Sequence, residues 1–91
     1  MDSTTKDKIR RMTVKQLKVL NSVILQGVAT STATITQVDL DKPTTLGVYS
    51  SLSRAGVVHP QGRDNDGNFK WELSEDIDKK ELKDLIDRLL S

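Results

Sequence analysis

The segment from Thr44 to Leu73, TTLGVYSSLSRAGVVHPQGRDNDGNFKWEL, constrains the fold more than any other part of the chain. Tyr49 and Leu52 must point inward, helped by Leu46 or by Thr45 and Val48, and Gly56 follows four residues after Leu52 as a helix stop. Val57-Val58-His59-Pro60 then reads as a short strand and QGRDNDGN as a turn-rich loop. Phe69-Lys70-Trp71-Glu72-Leu73 alternates strictly, so Phe69, Trp71 and Leu73 share one face and are expected to close the core beneath a hairpin.

Upstream, TVKQLKVLNSVILQG begins with Thr13 and Gln16 at capping-box spacing, repeats Val14, Leu17, Leu20 and Ile24 at helical intervals, and stops at Gly27. The threonine-rich run that follows favours a strand by propensity. Thr34 with Gln37 repeats the capping-box spacing, however, so a short strand near 28–31 and a short helix near 34–40 are expected. Asp41-Lys42-Pro43 restarts a helix with proline in its first turn. After Ser74, SEDIDKKELKDLIDRLLS repeats Leu82, Leu85, Ile86 and Leu89 at helical spacing and predicts a last helix.

Ninety-one residues with 35% hydrophobic content suit one small domain with a modest core and no deep pocket. There is no cysteine and only one histidine, His59, so a disulfide scaffold and a thiolate or histidine-cluster metal site are excluded. No phosphate-binding glycine loop or catalytic spacing is present, and neither enzymatic activity nor a cofactor is expected. No apolar run is long enough to span a membrane, and the first twelve residues lack the apolar core of a secretory signal, which reads as a cytoplasmic protein.

The net charge is only +1 but is unevenly spread. Lys6, Lys8, Arg10, Arg11, Lys15 and Lys18 outweigh Asp2 and Asp7 in the first twenty residues, whereas acids outnumber bases from Glu75 onward. A polyanion should therefore prefer the N-terminal side. Residues 1–12 are polar and without apolar periodicity, and read as a flexible basic arm ahead of a domain over 13–74 and a helix over 75–91.

Leu52, Gly56-Val57-Val58, a polar loop and Trp71-Glu72-Leu73-Ser74 resemble the end of MarR-like and ArsR-like transcription regulators, with Ser74 in place of their closing threonine. The resemblance covers residues 13–74 and implies an α+β, mostly helical fold: a winged helix-turn-helix of three core helices and a β-hairpin wing, here with an additional C-terminal helix. Asn65-Asp66-Gly67 stands where MarR-like wings carry an Asp-x-Arg element, and the Cys or His clusters of metal-sensing ArsR-like proteins are absent. The resemblance implies a sequence-specific double-stranded DNA-binding regulator with its third core helix in the major groove.

On that reading Thr44, Gly47, Ser50, Ser51 and Arg54 face the groove, while Arg63 and Lys70 of the wing and Arg10 and Arg11 of the arm contact phosphates. Tyr49 and Trp71 read as core aromatics. Leu82, Leu85, Ile86 and Leu89 exceed what one short helix contact needs and suggest a homodimer suited to a two-fold operator. The rival expectation is a winged helix used as a protein-protein interaction module without DNA binding.

Overall fold

The computed structural model describes residues 1–91. Its elements are α1 (Ser3–Arg10), α2 (Val14–Gln26), β1 (Val28–Thr30), α3 (Ser31–Val38), α4 (Lys42–Arg54), β2 (Val58–Arg63), β3 (Phe69–Leu73) and α5 (Lys79–Leu90). The strands form one antiparallel sheet in the order β1-β3-β2. Helices α2, α3 and α4 pack on one another, β2 and β3 form the wing, and α5 packs against α2. This is the expected winged helix-turn-helix with a C-terminal helix. No helix is long and apolar enough to cross a membrane.

Helix starts follow local chemistry. Asp2, Thr13, Thr30, Asp41 and Asp78 each present a side-chain oxygen to a backbone N–H three residues on. That bond satisfies one of the four donors that a helix leaves open at its N-terminus. At Thr13 the reciprocal bond from Gln16 completes the capping box. Hydrogen bonding from Thr44, first through its side chain and then through its backbone N–H, holds the Asp41 carboxyl below the usual carboxylate range. Gly27 closes α2 at φ 79°, a conformation that costs glycine little, and its N–H donates to the Val23 carbonyl.

The expected flexible arm is instead α1. Ile9 is 0% exposed within the core, and Met1 and Met12 pack against that core. Outside it, Lys6 Nζ lies 3.0 Å from Glu81, the Met1 ammonium lies 3.2 Å from the same carboxylate, and Lys8 Nζ donates to the Ala55 carbonyl at 3.3 Å. A single isoleucine leaves no apolar repeat in the sequence, because a helix this short draws its stability from tertiary contact rather than from propensity.

Other expectations shift by less. The short helix starts at Ser31 under a Thr30 cap, not at Thr34, which lies inside it. β2 continues past Pro60 to Arg63 through a register irregularity between those residues, so the strand is longer than its apolar part. Val14 is 57% exposed, and Val19 and Val23 take core places beside Leu17 and Leu20. Phe69 is 38% exposed and Leu73 half-buried, so Trp71 alone of the three alternating residues is buried beneath the hairpin.

The leucines of α5 also differ from expectation. Leu82, Leu85 and Ile86 are buried in the chain's own core, leaving Leu89 half-buried and Leu90 at the surface. The apolar face that suggested a second copy is largely consumed within one chain, because α1 and the buried Ile77 enlarge the core.

Two outcomes are expected. Ile9→Ala should cost about 2–5 kcal/mol in chemical denaturation, the cost of emptying a core site, whereas a free arm would show no change. Carboxylates whose folded pKa is depressed contribute stability above the ordinary range near pH 4, and that stability is lost as pH falls through the folded pKa. The directions at Asp2, Asp41, Asp64 and Glu81 therefore predict acid-labile thermal melts. Asp41→Asn, which keeps the cap acceptor without its titration, should flatten that acid limb.

Candidate nucleic-acid interface

Helix α4 has two faces. Thr45, Tyr49 and Leu52 are buried, spaced four and three residues apart on one stripe. Gly47, Ser50 and Arg54 are exposed on the opposite side, spaced three and four. Asp41 and Pro43 fix the start of the helix.

The buried stripe ties α4 to both neighbours. The Tyr49 ring stacks on Trp71 of β3 with centroids 3.8 Å apart and planes 4° from parallel. Its hydroxyl lies 2.6 Å from Thr34 Oγ1. Thr34 Oγ1 donates to the Thr30 carbonyl at 2.8 Å and accepts from Gln26 Nε2 at 3.1 Å. Having one hydrogen to give, Thr34 must accept from Tyr49, which is therefore the donor. Gln26 Nε2 also reaches Ser22, whose hydroxyl bonds Gln37. Burial pushes the Tyr49 phenol up to about 12, despite the opposing bond with Thr34.

Between α4 and the wing lies an open cleft of about 540 Å³. Leu46, Ser50 and Arg54 line it from the helix, and Pro60, Phe69 and Trp71 from the sheet. Arg63 stands over the Phe69 ring with its guanidinium carbon 4.5 Å from the centroid. One guanidinium, that of Arg54, thus lines the cleft, and a second, that of Arg63, is held on the Phe69 ring of its sheet wall. Leu46 and Pro60 escaped the sequence reading as site residues; the register pairing Pro60 with Trp71, fixed only in the folded sheet, puts Pro60 on the cleft side.

The tip of the wing is preorganised. The Asp64 carboxylate accepts from the backbone N–H groups of Asp66 and Asn68, both at 2.9 Å. These bonds, chiefly that from Asn68, hold its carboxyl below the usual range. Thr32 of α3 donates to the Asn68 side chain at 2.7 Å, bracing the tip against the helical core. Two carboxylates, Asp64 and Asp66, therefore sit at the tip, next to Arg63.

Not every expected contact residue joins this surface. Ser51 is half-buried, donating to the Val48 carbonyl at 2.8 Å and accepting from Gln16 Nε2 at 3.0 Å, so it serves the packing of α2 on α4. Thr44 is half-buried, and its N–H is committed to the Asp41 cap. Lys70 alternates with Phe69 and Trp71 along β3 and so lies on the face of the sheet away from the cleft. Arg10 pairs with Asp7 at 3.1 Å in its own helix, and Arg11 is the exposed C-cap of α1. The structure brings Ser50 and Arg54 together on the helix wall of the cleft, with Gly47 exposed on the same side of α4 and Arg63 stacked on Phe69 of the sheet wall.

No family model matches this chain, and no curated protein matches it in sequence. Solved structures do resemble it. BpsR of Bordetella bronchiseptica, solved to explain the regulation of its DNA binding by 6-hydroxynicotinic acid, matches with a TM-score of 0.66 and 18% identity, over 88% of this chain and 58% of its own. A cysteine-to-serine mutant of MarR from E. coli, complexed with operator DNA, matches with a TM-score of 0.71 and 17% identity, over 99% of this chain and 65% of its own. The chain thus spans less than two thirds of either protein. At these identities the likeness establishes architecture: this chain has the winged-helix fold of MarR and BpsR.

Proposed function

We propose that this protein is a double-stranded DNA-binding transcription regulator that inserts the exposed face of α4 into the major groove and sets the wing against the backbone. The observation that carries the reading is the cleft between α4 and the wing, where Ser50 and Arg54 line the helix wall and Arg63 stacks on Phe69 of the sheet wall, beside a helix face of small residues. Ser50 and Arg54 suit base edges or phosphates, since a hydroxyl and a guanidinium both bond groove acceptors. Arg63, already stacked on Phe69, is preorganised for a phosphate. The DNA binding of MarR and BpsR supports extending that role to this fold, and a cytoplasmic location goes with it.

Affinity on this reading is modest at physiological salt. Arg54, Arg63 and exposed Lys42 are few cations for a duplex, and affinity depends on phosphate neutralisation. Arg11, exposed at the end of α1, adds a further charge. Because α1 is folded onto the core, its charges act from a fixed position rather than as a reaching arm.

The cleft also favours one rival. Its floor of Leu46, Pro60, Phe69 and Trp71 could seat an apolar side chain of a protein partner. Indifference to DNA, with a stoichiometric partner recovered from nuclease-treated lysate, would select that module reading.

Fluorescence titration against a randomised duplex library at low and moderate salt tests the proposal, and absence of binding even at low salt sinks it. Arg54→Ala should change the enriched sequence, losing about 1–3 kcal/mol of discrimination at one position. Arg63→Ala should weaken all sequences alike and lower the salt slope by about one. Pairing of two copies, for which α5 leaves Leu89 half-buried against the core and Leu90 exposed, would suit a two-fold operator. Light scattering should then read twice the 10.1 kDa mass of the chain, and a monomer at tens of micromolar would remove that pairing.

A further inference from the structure

Gly47 has no explanation inside the chain. The other four glycines, Gly27, Gly56, Gly62 and Gly67, adopt φ of 79–80°, where an L side chain is strained. Gly47 does not: it lies within the thirteen-residue helix α4, where glycine weakens a helix relative to alanine. Nor does packing require it, since a Cβ built there would meet nothing within 4 Å. It is exposed on the same side of α4 as Ser50 and Arg54, which open onto the cleft.

A residue that costs helix stability, with neither a backbone nor a packing reason, points to something outside the chain. We infer that Gly47 is the point where the edge of a DNA duplex comes into van der Waals contact with the backbone of α4. Its missing side chain then sets how deeply the helix enters the groove. The inference rests on the duplex-DNA reading above and gives it a depth gauge. Hydrogen bonds from Ser50 and Arg54 to a groove tolerate only a few tenths of an ångström in length. A methyl group that lifts the helix would therefore weaken contacts it does not touch. Close approach of backbone to ligand is one of the uses to which glycine is suited.

The test is Gly47→Ala, with Gly47→Leu as the larger step, read by thermal melting and by titration with mixed-sequence duplex DNA and with the duplex that the wild-type protein enriches. Gly47→Ala should melt about 4 °C higher, because alanine favours the helix and meets no neighbour. It should also bind the enriched duplex roughly tenfold more weakly, as overpacking at a contact would require, and Gly47→Leu should bind more weakly still. A wild type that binds alongside a Gly47→Ala variant that binds equally well or better overturns this inference and leaves the DNA reading intact. A Gly47→Ala variant that melts lower overturns it by revealing an internal need for the glycine. Failure of the wild type to bind any duplex at low salt overturns both.

Discussion

The architecture turns on the buried pair Tyr49 and Trp71. One ring belongs to α4 and the other to the central strand of the sheet, and their 3.8 Å stack links helical core and wing directly. Stacked aromatic pairs add to simple area burial, and such planar contact also limits sliding. The Tyr49 hydroxyl then reaches Thr34 on α3, so a single side chain touches all three parts of the motif. The angle between α4 and the hairpin, and hence the width of the cleft, depends on this junction.

One set of polar groups inside the core reinforces the junction instead of weakening it. Ser22, Gln26, Thr34 and Tyr49 form a connected set in which Thr34 Oγ1 gives one hydrogen bond and accepts two. Such a satisfied network rigidifies, whereas one missing partner would leave a costly unpaired group. At the opposite end Ser74 donates to the Gly56 carbonyl at 2.6 Å, and its N–H bonds the Val57 carbonyl, fastening the last strand to the end of α4. The wing is thus held at both ends, and the cleft that Arg54 lines is braced on its sheet side.

Helix α1 changes the electrostatic account. Its basic residues are divided among structural tasks, with Lys6 on Glu81, Lys8 on Ala55 and Arg10 on Asp7. The N-terminal excess of positive charge is in part a means of attaching a helix to α4 and α5, and charges so engaged are less available to a polyanion. Exposed pairs of this kind contribute little each, so the buried Ile9 does more to hold α1 in place.

The sequence alone determined whatever depends on neighbours along the chain. The capping box at Thr13, the stop at Gly27, the restart at Asp41-Pro43 and the alternation around Trp71 are local rules, and each appears in the structure. The order of helices and hairpin followed, and with it the fold. Tertiary structure decided the rest, because burial is set by partners distant in sequence. Ile9 became core only because α1 folded back, and Leu82, Leu85 and Ile86 turned inward for their own chain. Ser51 left the groove face because Gln16, thirty-five residues away, bonded it. Of the nine expected contact residues, the fold put Ser50 and Arg54 in the cleft, with Gly47 on the same side of α4 and Arg63 on the ring of Phe69, which lines the cleft from the sheet. Periodicity sorts residues by face but cannot say which element will cover that face.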